Sequence, residues 1–72
     1  MEFFQFIKKI EEDSDMQIEI KRCLNKKEFI QFLKKYNAEN LFTTFEKRSR
    51  DLGANYWPWR FMGRVERKNF FK

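Results

Sequence analysis

The sequence contains no histidine, and it has one cysteine, one proline and two glycines among 72 residues. Without histidine the chain cannot build a histidine-based catalytic triad, a histidine-ligated metal site or a protonation switch near neutral pH. A single cysteine cannot form an intramolecular disulfide or a cluster of thiolate ligands, so no oxidising compartment is implied. These absences exclude several large classes of enzyme and metalloprotein.

Long apolar runs are also lacking, since no uninterrupted stretch of apolar side chains exceeds two residues, as at Phe3 and Phe4. A membrane-spanning helix needs about 20 predominantly apolar residues. In the first ten residues the lysines follow the apolar side chains and acidic residues come next, which is unlike a secretory signal. We therefore expect a cytoplasmic protein.

Catalytic motifs are missing from the chain, which has no glycine-rich phosphate loop, no C-x-x-C pair and no G-x-S-x-G elbow. Cys23 falls on the apolar side of a predicted helix, and no histidine is present to activate it, so we expect a small buried hydrophobe. The acidic residues at 11–15 lack the alternating pattern of a calcium loop. We predict that the protein is not an enzyme and takes no cofactor, metal or small-molecule substrate.

Charge is unevenly distributed along the chain, whose formal net charge is +5. Residues 1–20 carry six acidic and two basic side chains, whereas residues 21–72 carry fourteen basic and five acidic ones. The acidic head could pack against the basic body, or the basic residues could form a surface for an anionic partner. Charges on solvated helix faces are a third interpretation, and the sequence leaves all three open.

Apolar side chains recur at helical spacing between residues 1 and 53, and no stretch alternates as a strand would. This pattern predicts an all-α fold, with three to four short helices in a small bundle. The residues expected to form its core are Phe3, Phe6, Phe29, Phe32 and Phe45.

Helix boundaries are indicated by capping patterns. Ser14 with Gln17, Asn25 with Glu28, and Thr43 with Glu46 resemble capping boxes that begin the second, third and fourth helices. Asn37 and Gly53 are candidate stop residues after the third and fourth helices. The sequence thus divides into a helical module, 1–53, and a C-terminal segment, 54–72.

Residues 54–72 combine aromatic rings with basic side chains. Pro58 permits a short amphipathic helix over 58–68, and otherwise the segment is an aromatic-basic tail. The candidate partner-binding residues are Tyr56, Trp57, Trp59, Arg60, Phe61, Arg64 and Arg67.

Tryptophan, tyrosine and arginine are the residues that dominate protein interfaces, so we expect this segment to dock on, or to regulate, a larger cytoplasmic protein. Trp57, Trp59 and Phe61 would enter grooves of the partner, while the arginines would meet acidic groups at the rim. Aromatic and basic residues are also typical of nucleic-acid binding, which is the alternative function, and a membrane surface is less favoured. In a further interpretation the rings fold back to cap the core.

Apolar residues at helical spacing and helix-capping residues together form a broader pattern over two-thirds of the chain. Its positions are Phe6 and Ile7, Asp13 to Asp15, Ile20, Lys27 to Phe29, Leu33, Phe42, Thr43 and Glu46. Residues 3–52 thereby resemble the Nif11 domain, a small helical module of nitrogen-fixation-associated proteins and of leader peptides of modified peptide natural products.

The Nif11 resemblance implies recognition rather than catalysis, because modifying enzymes bind the helical region of the leader members. It also implies that the protein is located in the cytoplasm of a bacterium, such as a cyanobacterium. Asn37 and Ala38 stand where the family usually has a glycine. No double-glycine site followed by a core rich in Cys, Ser or Thr comes after Leu52, so we expect a stand-alone module rather than a leader.

Overall fold

The computed structural model describes residues 2–72, which form five α-helices and no strand. The helices are α1 (Phe3–Glu11), α2 (Ser14–Lys21), α3 (Lys26–Lys35), α4 (Phe42–Arg48) and α5 (Arg64–Phe70). Short 3-10 turns, Glu39–Leu41 and Ser49–Asp51, precede and follow α4. The all-α prediction is confirmed, but the expected number of helices was too low by at least one because the C-terminal segment contributes α5.

Phe29 on α3 lies at the centre of an aromatic core. Its ring centroid is 5.3 Å from those of Phe45 on α4 and Trp59, and it meets both rings nearly at right angles. The rings of Phe70 and Phe71, at the end of the chain, lie within 6.2 Å of it. Edge-to-face pairs of this kind contribute about 0.5–1.5 kcal/mol each beyond the burial of their surface.

The core predicted from helical spacing is confirmed, since all five of its phenylalanines are buried. Leu24 follows Met16 and Ile20 at helical spacing in the sequence, which predicts one shared apolar face, and this prediction is wrong for Leu24. Because α2 ends at Lys21, Leu24 lies in the loop after the helix, and 78% of its surface is exposed.

Two of the predicted boundaries are confirmed. The Asn25 side chain accepts a hydrogen bond of 2.9 Å from the Glu28 amide at the start of α3, and Asn37 has the positive φ, 55°, of a left-handed stop residue. At α2 the cap is Asp13 rather than Ser14, because the Asp13 carboxylate accepts from the amides of Asp15 and Met16.

The boundaries predicted for the fourth helix are wrong. A 3-10 turn leads directly into α4, so the helix begins at Phe42 and Thr43 lies inside it. At its other end the chain continues into the Ser49–Asp51 turn, and Gly53 does not have a positive φ.

The C-terminal segment is part of the same core. Trp57 and Trp59 are only 3% and 2% exposed, and their indole rings stack with centroids 5.4 Å apart. The Trp59 indole N–H donates a buried hydrogen bond of 3.0 Å to the Ser49 carbonyl oxygen. The prediction of a helix over 58–68 has the wrong bounds. Turns fill this stretch up to Phe61, and the helix of this segment, α5, begins only at Arg64. The change of composition near residue 53 is therefore not a boundary in packing.

Helices α2 and α3 are also joined by a small polar cluster at the surface. Glu19 accepts hydrogen bonds from the Lys35 ammonium group and, at 2.8 Å, from the Tyr36 hydroxyl. These donors favour the carboxylate and lower the pKa of Glu19. The stabilisation from Glu19 is therefore present above its ordinary pKa of 4.5 and is lost as the pH falls through the lower folded-state value.

We predict that Trp59→Ala lowers the free energy of unfolding by about 3–5 kcal/mol, since it removes a buried ring and its hydrogen bond. Phe61→Ala in the same segment is the matched control, because this ring is exposed and its loss should change stability by only about 0.5 kcal/mol. Urea unfolding followed by circular dichroism measures both. Equal midpoints for the two variants would contradict the described core.

Candidate functional site

Cys23 has the properties of a structural residue. It is buried, as predicted, and its Sγ points toward the Glu19 carbonyl oxygen at 3.7 Å. Burial, with smaller effects from Glu28 and Glu19, raises the pKa of the thiol to about 11. Because the thiolate is the nucleophilic form, this thiol is poorly reactive at neutral pH.

Two further findings concern residues 2–72 alone. No group of three or more acidic or cysteine side chains among them lies in an arrangement that could hold a metal ion. None of the helices they form is long and apolar enough to cross a membrane.

A basic groove runs between the end of α4 and the side of α5. Its main part has a volume of about 490 Å3, and an adjoining hollow of about 230 Å3 extends it toward Arg60. The basic side chains that line it are Lys47, Arg50, Arg60, Arg64, Arg67, Lys68 and Lys72. Its only acidic side chains are Glu46 and Asp51, which gives the groove a net charge of 7 − 2 = +5.

The cations of the basic groove outnumber its carboxylates, and none of them forms an ion pair within the part of the chain that the structure describes. Within residues 2–72 the only ion pair is that of Lys35 with Glu19, which lies outside this groove. Arg60 is oriented by a hydrogen bond of 2.8 Å from its Nε to the Gly53 carbonyl oxygen. Uncompensated cations at close quarters repel each other, so an anion in the groove would be attracted by all of them.

Packing of the chain end explains how the groove forms. Phe70 and Phe71 turn into the core, and this fixes the rotation of α5. Arg64, Arg67 and Lys68 are thereby placed on the side of the helix that faces the end of α4. The two buried indoles position the chain that leads into this helix.

The residues predicted to bind a partner are separated by the structure into two groups. Arg60, Arg64 and Arg67 come together in the basic groove, and Phe61, 84% exposed, stands next to it with the Arg60 guanidinium 5.4 Å from its ring centroid. The prediction that the indoles of Trp57 and Trp59 enter a partner's grooves is corrected, because both rings are in the core of this chain.

Tyr56 belongs fully to neither the groove residues nor the core residues. It is half-buried, and its ring centroid is 4.9 Å from that of Trp57. Burial, followed by the charge of Glu11, raises the pKa of its hydroxyl above the ordinary value of 10.0.

Sequence reasoning missed Lys47, Arg50, Lys68 and Lys72 as members of the site. The net charge of residues 41–72 was visible in the sequence, but it does not show which side chains share a surface. Lys47 and Arg50 precede the aromatic segment, and only the tertiary fold brings the end of α4 and the turn after it to the same groove as Arg64.

An apolar groove lies on the opposite side of α5, against the loop between α2 and α3. It has a volume of about 590 Å3 and is lined by Leu24, Asn25, Lys26, Lys27, Met62, Glu66, Asn69 and Phe70. Val65, 70% exposed, lies between the two grooves on the outer side of α5. The helix thus separates a basic surface from an apolar one.

No protein family matches the chain, and neither a curated protein nor a solved structure has significant similarity to it. The resemblance of residues 3–52 to the Nif11 domain therefore stays a prediction. The two grooves and their side chains are the basis for assigning a function.

We predict that native Cys23 reacts with iodoacetamide at pH 8 at least about 100-fold more slowly than the same thiol in urea. With a pKa of about 11 only about one thiol in 1,000 is ionised at that pH, and burial hinders access further. Mass spectrometry of timed samples gives both rates. Equal rates would identify an accessible thiolate and contradict a purely structural role for Cys23.

Proposed function

We propose that the protein is a non-enzymatic interaction module that docks on a larger cytoplasmic protein through its basic C-terminal surface. The observation that carries this proposal is the basic groove, where seven cations share a surface and form no ion pair. The ligand it suits is an acidic segment of the partner.

Arginine supplies much of this recognition. Arg50, Arg60, Arg64 and Arg67 present planar guanidinium groups, which bind carboxylates through paired hydrogen bonds. The positive field of the groove would accelerate association with an acidic partner and would weaken as salt is added. The buried tryptophans contribute by holding the groove in place before binding, which limits the entropy lost on docking.

Nucleic acid is the second candidate ligand, and Phe61 is the observation that favours it. An exposed ring beside a basic groove is the arrangement with which single-strand-binding proteins stack a base while cations contact phosphates. Phe61 is the one exposed ring of the C-terminal segment, because the indoles expected to assist it are buried.

We further propose that residues 3–52 belong to the Nif11 domain family and that the protein acts in a bacterial cytoplasm. Four helices in this range and the caps at Asp13 and Asn25 support the proposal. A helical region used for recognition is what the resemblance implies, and it agrees with a docking role.

We predict that Arg64→Glu with Lys68→Glu weakens binding of a fluorescent oligoglutamate peptide by at least about tenfold, because two attractive charges become repulsive. Both side chains are exposed, so the variant should fold. Lys8→Glu with Lys21→Glu is the matched control, since it changes net charge equally on exposed positions of α1 and α2. Fluorescence anisotropy at about 150 mM salt measures the affinities.

Equal weakening by the groove variant and the control would show that only overall charge matters and would contradict a docking role for the basic groove. Oligo-dT of about 20 nucleotides is the competing ligand. Binding of oligo-dT much more tightly than the peptide, with a salt dependence that reports several phosphate contacts, would favour the second candidate.

A further inference from the structure

Two sides of helix α5 line two different grooves. Arg64, Arg67 and Lys68 face the basic groove, while Glu66, Asn69 and Phe70 face the apolar groove. Val65 lies on the outer surface between them. A ligand on α5 is therefore in reach of both cationic and apolar side chains.

Large apolar side chains are exposed around the apolar groove. Exposed Leu24 lines it from the loop before α3, partly buried Met62 lines it from the segment before α5, and exposed Val65 lies next to the lining residue Glu66 in the chain. Phe61, which precedes Met62, is also exposed. Clustered exposed apolar residues are typical of protein-binding surfaces, and aliphatic side chains offer little to a phosphate backbone.

Cations border this apolar surface on two sides. Lys26 and Lys27 belong to the wall formed by the start of α3, and Arg64 and Lys68 lie beyond Val65 on the other side. Lys26 is held by a hydrogen bond of 2.9 Å to the Lys72 carbonyl oxygen, whereas Lys27 is exposed. Glu66 is the one acidic side chain that lines the apolar groove.

Resting on the proposed function, we infer that the partner segment is an amphipathic helix with acidic flanks. Its apolar side would lie in the apolar groove against Leu24 and Met62. Its carboxylates on one flank would meet Lys27, and those on the other flank would meet Arg64 and Lys68. This arrangement is the helix-in-groove mode of recognition, with charge complementarity on both sides.

Two features favour a helix over other ligands. A peptide that binds by adding a strand would need a sheet edge to pair with, and residues 2–72 contain no strand. A small molecule would need an enclosed pocket that buries most of its surface, whereas Leu24 leaves this groove open to solvent. A helix packs side chains into a groove walled by another helix while its outer side stays in water.

The experiment uses two synthetic peptides of identical Leu, Glu and Ala composition. In one, leucines recur at i, i+3, i+4 and i+7 between glutamates, and in the other the order is scrambled. We expect the full chain to bind the amphipathic peptide at least about tenfold more tightly in fluorescence anisotropy, and we expect the helical circular dichroism of that peptide to increase on binding. The scrambled peptide should show neither effect.

A substitution in the apolar groove tests the assigned position. Leu24→Asp should abolish the preference for the amphipathic peptide, because it places a negative charge on the apolar wall. Ile18→Asp is the matched control, since Ile18 is a half-exposed aliphatic residue on α2 that does not line the groove. An unchanged preference in Leu24→Asp would overturn the inference.

Failure of this inference is distinguishable from failure of the proposed function. If both peptides bind equally and Arg64→Glu with Lys68→Glu weakens both, the amphipathic helix is overturned while the basic docking surface stands. If neither peptide binds and oligo-dT does, the proposed function fails together with the inference.

Discussion

The packing of Trp59 against Phe29 is the contact on which the rest of the structure depends. Phe29 belongs to the helical module, and Trp59 belongs to the C-terminal segment, so their edge-to-face contact joins the two parts. The indole hydrogen bond to Ser49 adds a directional constraint at the end of α4. A chain of this length buries only about 60% of the surface exposed in its unfolded state, so removing the C-terminal rings would leave the other helices without a sufficient core.

This constraint also places the charges. With the indoles and the last two phenylalanines buried, the turn after Pro58 and the rotation of α5 are fixed. The arginines that alternate with the rings in sequence must then face outward, beside Lys47 and Arg50 of the α4 end. Aromatic and basic residues thus have separate tasks, since the rings build the scaffold and the guanidinium groups remain available for a ligand.

Much of the fold could be predicted from the sequence where one periodic signal dominates. The i, i+3 spacing of Phe3 with Phe6 and of Phe29 with Phe32 located the core of α1 and α3, and Asn25 and Asn37 marked the two ends of α3. The prediction failed at α4 because a 3-10 turn runs into it without a side-chain cap. It also failed at residues 54–72, because the sequence does not show whether a tryptophan packs inside its own chain or against a partner. The groove depends on α5 coming close to the end of α4 and to the turn after it, which no local pattern encodes.

The shared scaffold determines how loss of binding should be interpreted. A substitution at Trp57 or Trp59 would disturb the core and both grooves at once, so it cannot show that the ring touches a partner. The same holds for a chain shortened at Gly53, which lacks four buried rings of the core. Exposed positions on the two sides of α5 and in the loop before α3 leave the core intact. Substitutions at these positions distinguish a lost partner contact from a loss of folding. They also distinguish the charged part of recognition from the apolar part.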